Sequence, residues 1–156
     1  MDAWPDDPDG FVDDEPIAVD LAHPTRSLPQ ADVRALAERV LNGEGLMSRG
    51  IGIVLADHAE VLRLNRAYLD HDYETDVLSF SLDESAPSQG FVEGEVIVDL
   101  DTAAERADEF GTTYGREALR YVAHGLLHLC GYDDATPDEK AAMHALEDRY
   151  LGPESE

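Results

Sequence analysis

Apolar positions along the chain alternate between a period of two and a period near 3.6, and the switches mark the elements. The run PIAVDL (16–21) reads as a first strand. In SLPQADVRALAERVLNGEG (27–45), Val33, Leu36, Ala37, Val40 and Leu41 form one stripe at helical spacing, with Ser27 as the expected N-cap and Gly43 as the stop. IGIVLA (51–56) is a second strand, and Asp57 followed by Glu60 predicts a capping box for a helix running to Leu69. In DVLSFSL (76–82), Leu78, Phe80 and Leu82 alternate with Val77, Ser79 and Ser81, the signature of a strand with two different faces. EGEVIVDL (93–100) carries a short apolar run that suits a buried strand. Leu100, Ala103, Ala104, Ala107 and Phe110 then recur at helical spacing up to Gly111. A helix over 116–129 would bury Leu119, Val122, Ala123, Leu126 and Leu127, and Thr136, Pro137 and Glu139 open a last one with a capping box and Pro in the first turn. This order predicts an α+β fold: one domain over 15–152, with a small mixed β-sheet and helices packed on it.

Composition narrows the picture. Apolar residues make up 43% of 156, enough for one core, and no apolar run approaches the roughly 18 residues of a membrane span. The net charge is −24, and residues 1–20 hold eight acidic side chains with no Lys or Arg. Residues 1–14 are expected to form an acidic, disordered tail, because a Pro- and Asp-rich segment buries little surface. The remaining surface is acidic too, which suits a solvated, salt-tolerant exterior and argues against broad, non-specific binding of nucleic acid. An Arg-lined cleft stays compatible with it. No secretory leader is visible, and the single cysteine, Cys130, fits a reducing compartment, so a cytoplasmic location is expected.

The chemistry concentrates in HGLLHLCGYDD, 124–134. Residues four apart on a helix share a face, so His124 and His128 point the same way, off the apolar stripe. Gly131 lets the chain leave the helix in a left-handed turn and fold back. Asp134, six residues after His128, is then placed to close a three-ligand set, with Asp133 as the alternative. Two imidazoles and a carboxylate leave a position open, which is the pattern of catalytic rather than structural zinc. A solvent-facing histidine pair before an Asp-rich cap is the competing reading. Gly125 stands where H-E-x-x-H peptidases carry their general base, so any base comes from elsewhere or from water on the ion itself. Cys130, beside the core stripe, reads as a packed thiol, His144 as a surface or supporting residue, and His58 and His71 show no ligand spacing. Tyr132 suits either packing beneath the turn or contact with substrate.

HGLLHLCGYDD resembles the H-G-x-L-H-L-x-G-Y-D-H signature of the YbeY endoribonucleases. LNRAYLDHDYETDVLSF (64–80) is similar to that family's other hallmark, and Gly94-Glu95, Met143 and Glu147 also fit. The resemblance spans roughly 54–151. It implies a single-domain α+β zinc protein that hydrolyses single-stranded RNA in 16S rRNA 3′-end maturation and ribosome quality control, in contact with the small ribosomal subunit and not with DNA. It carries over His124, His128 and Asp134 as ligands of one Zn2+. Asp134 replaces the family's third His, Glu95 its Asp, and Leu69 its usual Arg, a side chain suited to gripping phosphate. Arg66, three residues before Leu69, and Arg120, one turn before His124, are the candidate substitutes for that cation. An ordinary surface Arg66, and an Arg120 in a salt bridge with Glu117 or a neighbour, are the plainer alternatives. Besides a zinc-dependent endoribonuclease, the sequence admits a different zinc hydrolase and a non-catalytic, zinc-stabilised ribosome-assembly factor.

Overall fold

The computed structural model describes residues 16–69 and 76–153, with the backbone alone at 68 and 69. The acidic tail expected over 1–14, His71 and the side chain of Leu69 lie outside what it describes. Strands β1 (Ile17–Ala22), β2 (Met47–Ala56), β3 (Val77–Ser81) and β4 (Phe91–Asp99) form one sheet in the order β1-β2-β4-β3. The first two pairs are parallel, with Val19 opposite Ile53 and Ile53 opposite Val96; β3 runs antiparallel to β4, with Ser79 opposite Val96. The sheet is therefore small and mixed, as the pattern predicts. Helices are α1 (Gln30–Glu44), α2 (His58–Leu69), α3 (Leu100–Phe110), α4 (Tyr114–Leu129) and α5 (Pro137–Leu151), and a 3-10 turn spans Ala86–Gln89.

One face of the sheet carries the main core, where Ile53, Leu55, Val96 and Val98 meet Val33, Leu36 and Val40 of α1 and Val122, Leu126 and Leu127 of α4. The other face carries α2, whose Val61 packs with Ala56, Leu78 and Ile97. The alternation in β3 thus serves two cores: Leu78 faces α2, while Val77 packs against the main core and Ser79 Oγ donates to the Gly125 carbonyl at 3.0 Å. α4 lies on β3 and β4 and is flanked by α1, α3 and α5. Its buried residues run around most of the cylinder, and the stripe Arg116, Arg120, His124 and His128 stays half-buried. Gly125 sets how closely α4 approaches the sheet. A Cβ there would stand 2.5 Å from Val96 Cγ1 and 3.1 Å from Ser79 Oγ. Among the described residues no helix is long and apolar enough to cross a membrane.

The boundaries depart from the sequence reading at β2, which begins at Met47 rather than Ile51, and at α1. Ser27 does not cap it; the N-cap is Pro29, with no side-chain cap. A residue before proline is held out of the helical region, so Leu28 stays extended and buried, and Ser27 cannot begin the helix. Gly43 does not stop α1 either. The chain turns at Gly45, at φ 72°, and Gly43 lies within the helix because the Tyr150 ring presses on it where a side chain would stand. At α2, the Asp57 carboxylate accepts the Glu60 N–H at 2.9 Å, but the Glu60 side chain turns to Arg63 rather than closing a capping box. The capping box at α5 is complete between Thr136 and Glu139.

Candidate metal centre

α4 begins where Thr113 Oγ1 accepts the Arg116 N–H, and it runs unbroken to Leu129, which keeps His124 and His128 one turn apart on one face. The imidazoles meet edge to face with centroids 4.6 Å apart, and their Nε2 atoms are 3.0 Å from each other. Gly131, at φ 110°, turns the chain back, a conformation that favours glycine. The turn places Asp134 Oδ2 3.2 Å from His124 Nε2 and Oδ1 3.6 Å from His128 Nε2. Asp134 is half-buried in this cluster, whereas Asp133 is exposed. His124, His128 and Asp134 therefore converge as a group that can hold a metal ion.

The second nitrogen of each ring decides what the first can do. His124 Nδ1 is 2.6 Å from Glu147 Oε2, and His128 Nδ1 is 3.0 Å from the Tyr132 carbonyl. Carboxylate and carbonyl oxygens accept, so each Nδ1 carries the proton and each neutral ring turns a lone pair at Nε2 inward. In that tautomer two lone pairs and the Asp134 carboxylate face one another, an arrangement that a cation satisfies. The separations also fit: ligands at 2.0–2.1 Å around a tetrahedral ion stand roughly 3.3 Å apart. Carboxylates also act on the charge of His124. Burial pulls its pKa down, but Glu147 above all, with Asp134 and Asp76, outweighs burial and raises it.

The spacing rules of the sequence do not reveal Glu147. It lies on α5, 23 residues from His124, and is 5% exposed. Arg120 Nη1 holds its other oxygen at 3.0 Å, and Arg120 Nη2 reaches Asp148 at 2.7 Å. Arg120 is thus in a salt bridge, with these two rather than with Glu117. His144 is largely exposed, near Arg120 and Asp148. Beyond His124 opens a cleft of about 980 Å³, whose wall includes Asp76, Phe110, Arg116, Arg120, Tyr121 and Arg149. Burial pushes the Asp76 carboxyl pKa up, although the charge of His124 pulls against it. Arg66 is exposed on α2 and is not among the residues lining the cleft.

The remaining candidates are structural in their contacts. Cys130 packs against the core, and burial pushes its thiol up to about 12. Tyr132 donates from its hydroxyl to Glu44 Oε1 at 2.6 Å, tying the ligand turn to the end of α1. His58 is bonded where its spacing gave no sign. Its Nδ1 is 2.6 Å from the buried Asp99, and its backbone N–H donates to Asp101 at 3.0 Å.

The family profile described as Endoribonuclease YbeY matches residues 19–153. An endoribonuclease YbeY of Salinibacter ruber is 54% identical over 142 residues, covering 88% of this chain and 90% of its own. One from Chlorobium phaeovibrioides is 39% identical over 126 residues, covering 81% and 82%. The solution structure of TM1509 from Thermotoga maritima superposes with a TM-score of 0.59 at 28% identity, covering 86% of each chain. With the family profile matched over residues 19–153 and a relative 54% identical over most of both chains, the chain belongs to the endoribonuclease YbeY family.

Proposed function

We propose that the protein is a zinc-dependent, single-strand-specific endoribonuclease of 16S rRNA 3′-end maturation and ribosome quality control, acting in the cytoplasm on the small ribosomal subunit. The observation that carries the metal half is the convergence of His124 Nε2, His128 Nε2 and the Asp134 carboxylate, with ligand atoms all within 4.8 Å of one another. Family membership supports an RNA substrate. Zinc suits a donor set of two imidazoles and one carboxylate with a position left open. When bound, such an ion lowers the pKa of a water and polarises a phosphate oxygen.

The side chains around it have separable roles. Glu147 and the Tyr132 carbonyl orient the two imidazoles and fix which nitrogen faces inward. Asp134 makes the centre one unit less positive than three histidines would. Gly125 offers no base, and the close approach of α4 to the sheet leaves no room for a glutamate there. Asp76, a carboxyl whose hold on a proton burial strengthens, is the cleft group placed to accept or return one. Arg120 sets a positive charge beside the cleft, although Glu147 and Asp148 already share it.

The test is cleavage of a single-stranded RNA by wild type and His124→Ala, with and without chelator, beside thermal unfolding of the same samples. Cleavage lost on chelation and in the variant, with the fold retained, supports the enzyme. One observation favours a second reading, a metal-stabilised assembly factor: Asp134 lies in the segment joining α4 to α5, so an ion would pin the last helix. Unfolding on chelation with no cleavage by the loaded protein supports that reading instead.

A further inference from the structure

The cleft beside the metal cluster sets a problem of charge. Three of the chain's 11 cationic side chains, Arg116, Arg120 and Arg149, line it, but so do Asp76, Glu117, Glu147 and Asp148. The arginines are also engaged within the protein. Arg120 is clamped by Glu147 and Asp148, Arg116 Nη2 donates to the Gly152 carbonyl at 3.0 Å, and Arg149 lies 5.7 Å over the Tyr150 ring. Attraction of phosphate to this wall is therefore weak, and a bound strand needs another source of affinity.

One lining residue supplies it. Phe110, the last residue of α3, is 62% exposed at the cleft, while the neighbouring α3 positions Leu100, Ala103 and Ala107 are buried. Gly111, at φ 70°, turns the chain directly after it toward α4. A large apolar ring left in water beside a polar cleft does nothing for the core. Aromatic rings of this kind stack unpaired bases, a contact that ignores sequence and does not rely on net charge.

We propose that Phe110 is a base-stacking platform, so that single-strand preference arises from the need to swing an unpaired base onto it. The proposal rests on RNA being the substrate. Arg116, Arg120, His124 and His128 recur every fourth residue along α4 and give the strand its direction. It runs from Phe110, beside the start of α4, along this stripe to the metal cluster. From Tyr114 to His124 is about 15 Å along the helix axis. The stacked base is then roughly four nucleotides from the metal cluster at 3.4 Å spacing, and fewer where the strand is extended. A base held in a duplex is not free to stack, so a paired strand loses this contact.

The experiment places 2-aminopurine at successive positions of a single-stranded RNA and follows its fluorescence on binding to the metal-loaded protein. Cleavage of the same RNA is measured in parallel for wild type, Phe110→Ala, Phe110→Leu and Phe110→Trp. Quenching confined to one or two positions is expected in wild type and Phe110→Trp. In both Phe110→Ala and Phe110→Leu the quenching disappears and affinity falls roughly tenfold, with the metal content unchanged. Phe110→Leu keeps apolar bulk without an aromatic face, so full quenching and affinity in that variant overturn the proposal, as does wild-type behaviour of Phe110→Ala. Metal-dependent cleavage that persists beside unchanged binding in these variants defeats the platform alone. A wild-type protein that neither binds nor cleaves the RNA defeats the substrate reading and the platform with it.

Discussion

Glu147 brings a carboxylate into a nearly closed space between α4 and α5, where a charge is tolerated only if partnered. His124 and Arg120 are the partners, one oxygen each. Glu147→Gln keeps the shape but turns half of this group into a donor, so His124 and Arg120 compete for the one remaining acceptor and the His124 tautomer is held less firmly. Metal affinity should fall roughly 10- to 100-fold while the fold persists, as measured by competition with a chromophoric chelator. Unchanged affinity would show that Glu147 serves packing alone. Gly125 gives a second test at this scale. Alanine raises intrinsic helix propensity, yet here its methyl would drive into Val96, Ser79 and Val77. Gly125→Ala should destabilise by about 1–3 kcal/mol in chemical denaturation, against the propensity scale.

At the scale of elements, Asp101 at the start of α3 ties three segments. Its carboxylate accepts from His23 Nε2 at 2.8 Å, Arg26 Nε at 2.9 Å and the His58 backbone N–H at 3.0 Å. Burial alone would raise its pKa, but these donors outweigh it and hold the carboxyl down at about 2. The folded pKa lies below the unfolded value of about 3.9. The stabilisation is therefore fully present above pH 4 and is lost as pH falls toward 2. Because the group is partly exposed, solvent screening leaves about 1 kcal/mol, so Asp101→Asn should lower Tm by roughly 2–4 °C at pH 7. The gap should close in melts near pH 2; a constant gap would refute the linkage. This junction also marks the limit of what the sequence discloses. Period and caps are local, so β1, the second half of β2, β3, β4, α3 to α5, Gly111 and the Thr136 box could be read directly. His23, His58, Asp99 and Asp101 meet only once parallel strands bring the ends of β1, β2 and β4 together. The same holds at the centre. His124, His128 and Asp134 lie within one turn and its return loop and were legible, while Glu147 reaches His124 through packing of α5. Ser27 and Gly43 misled because Pro29 and the Tyr150 ring override local preference.

The molecule as a whole is strongly acidic, at −24 over 156 residues, and its cleft is not an exception. RNA binding that depends on three engaged arginines neutralises at most about three phosphates. The slope of log K against log salt should then be no steeper than about −2, read from titrations between 50 and 300 mM salt. A steep slope would show that a larger cationic surface takes part. Beneath substrate and salt lies the claim that one ion sits between α4 and its return loop. Elemental analysis of the purified protein beside Asp134→Ala tests it most directly. About one zinc per wild-type chain is expected, with a large loss in Asp134→Ala at unchanged fold. Equal metal content in the two proteins, or none in either after zinc reconstitution, would contradict it.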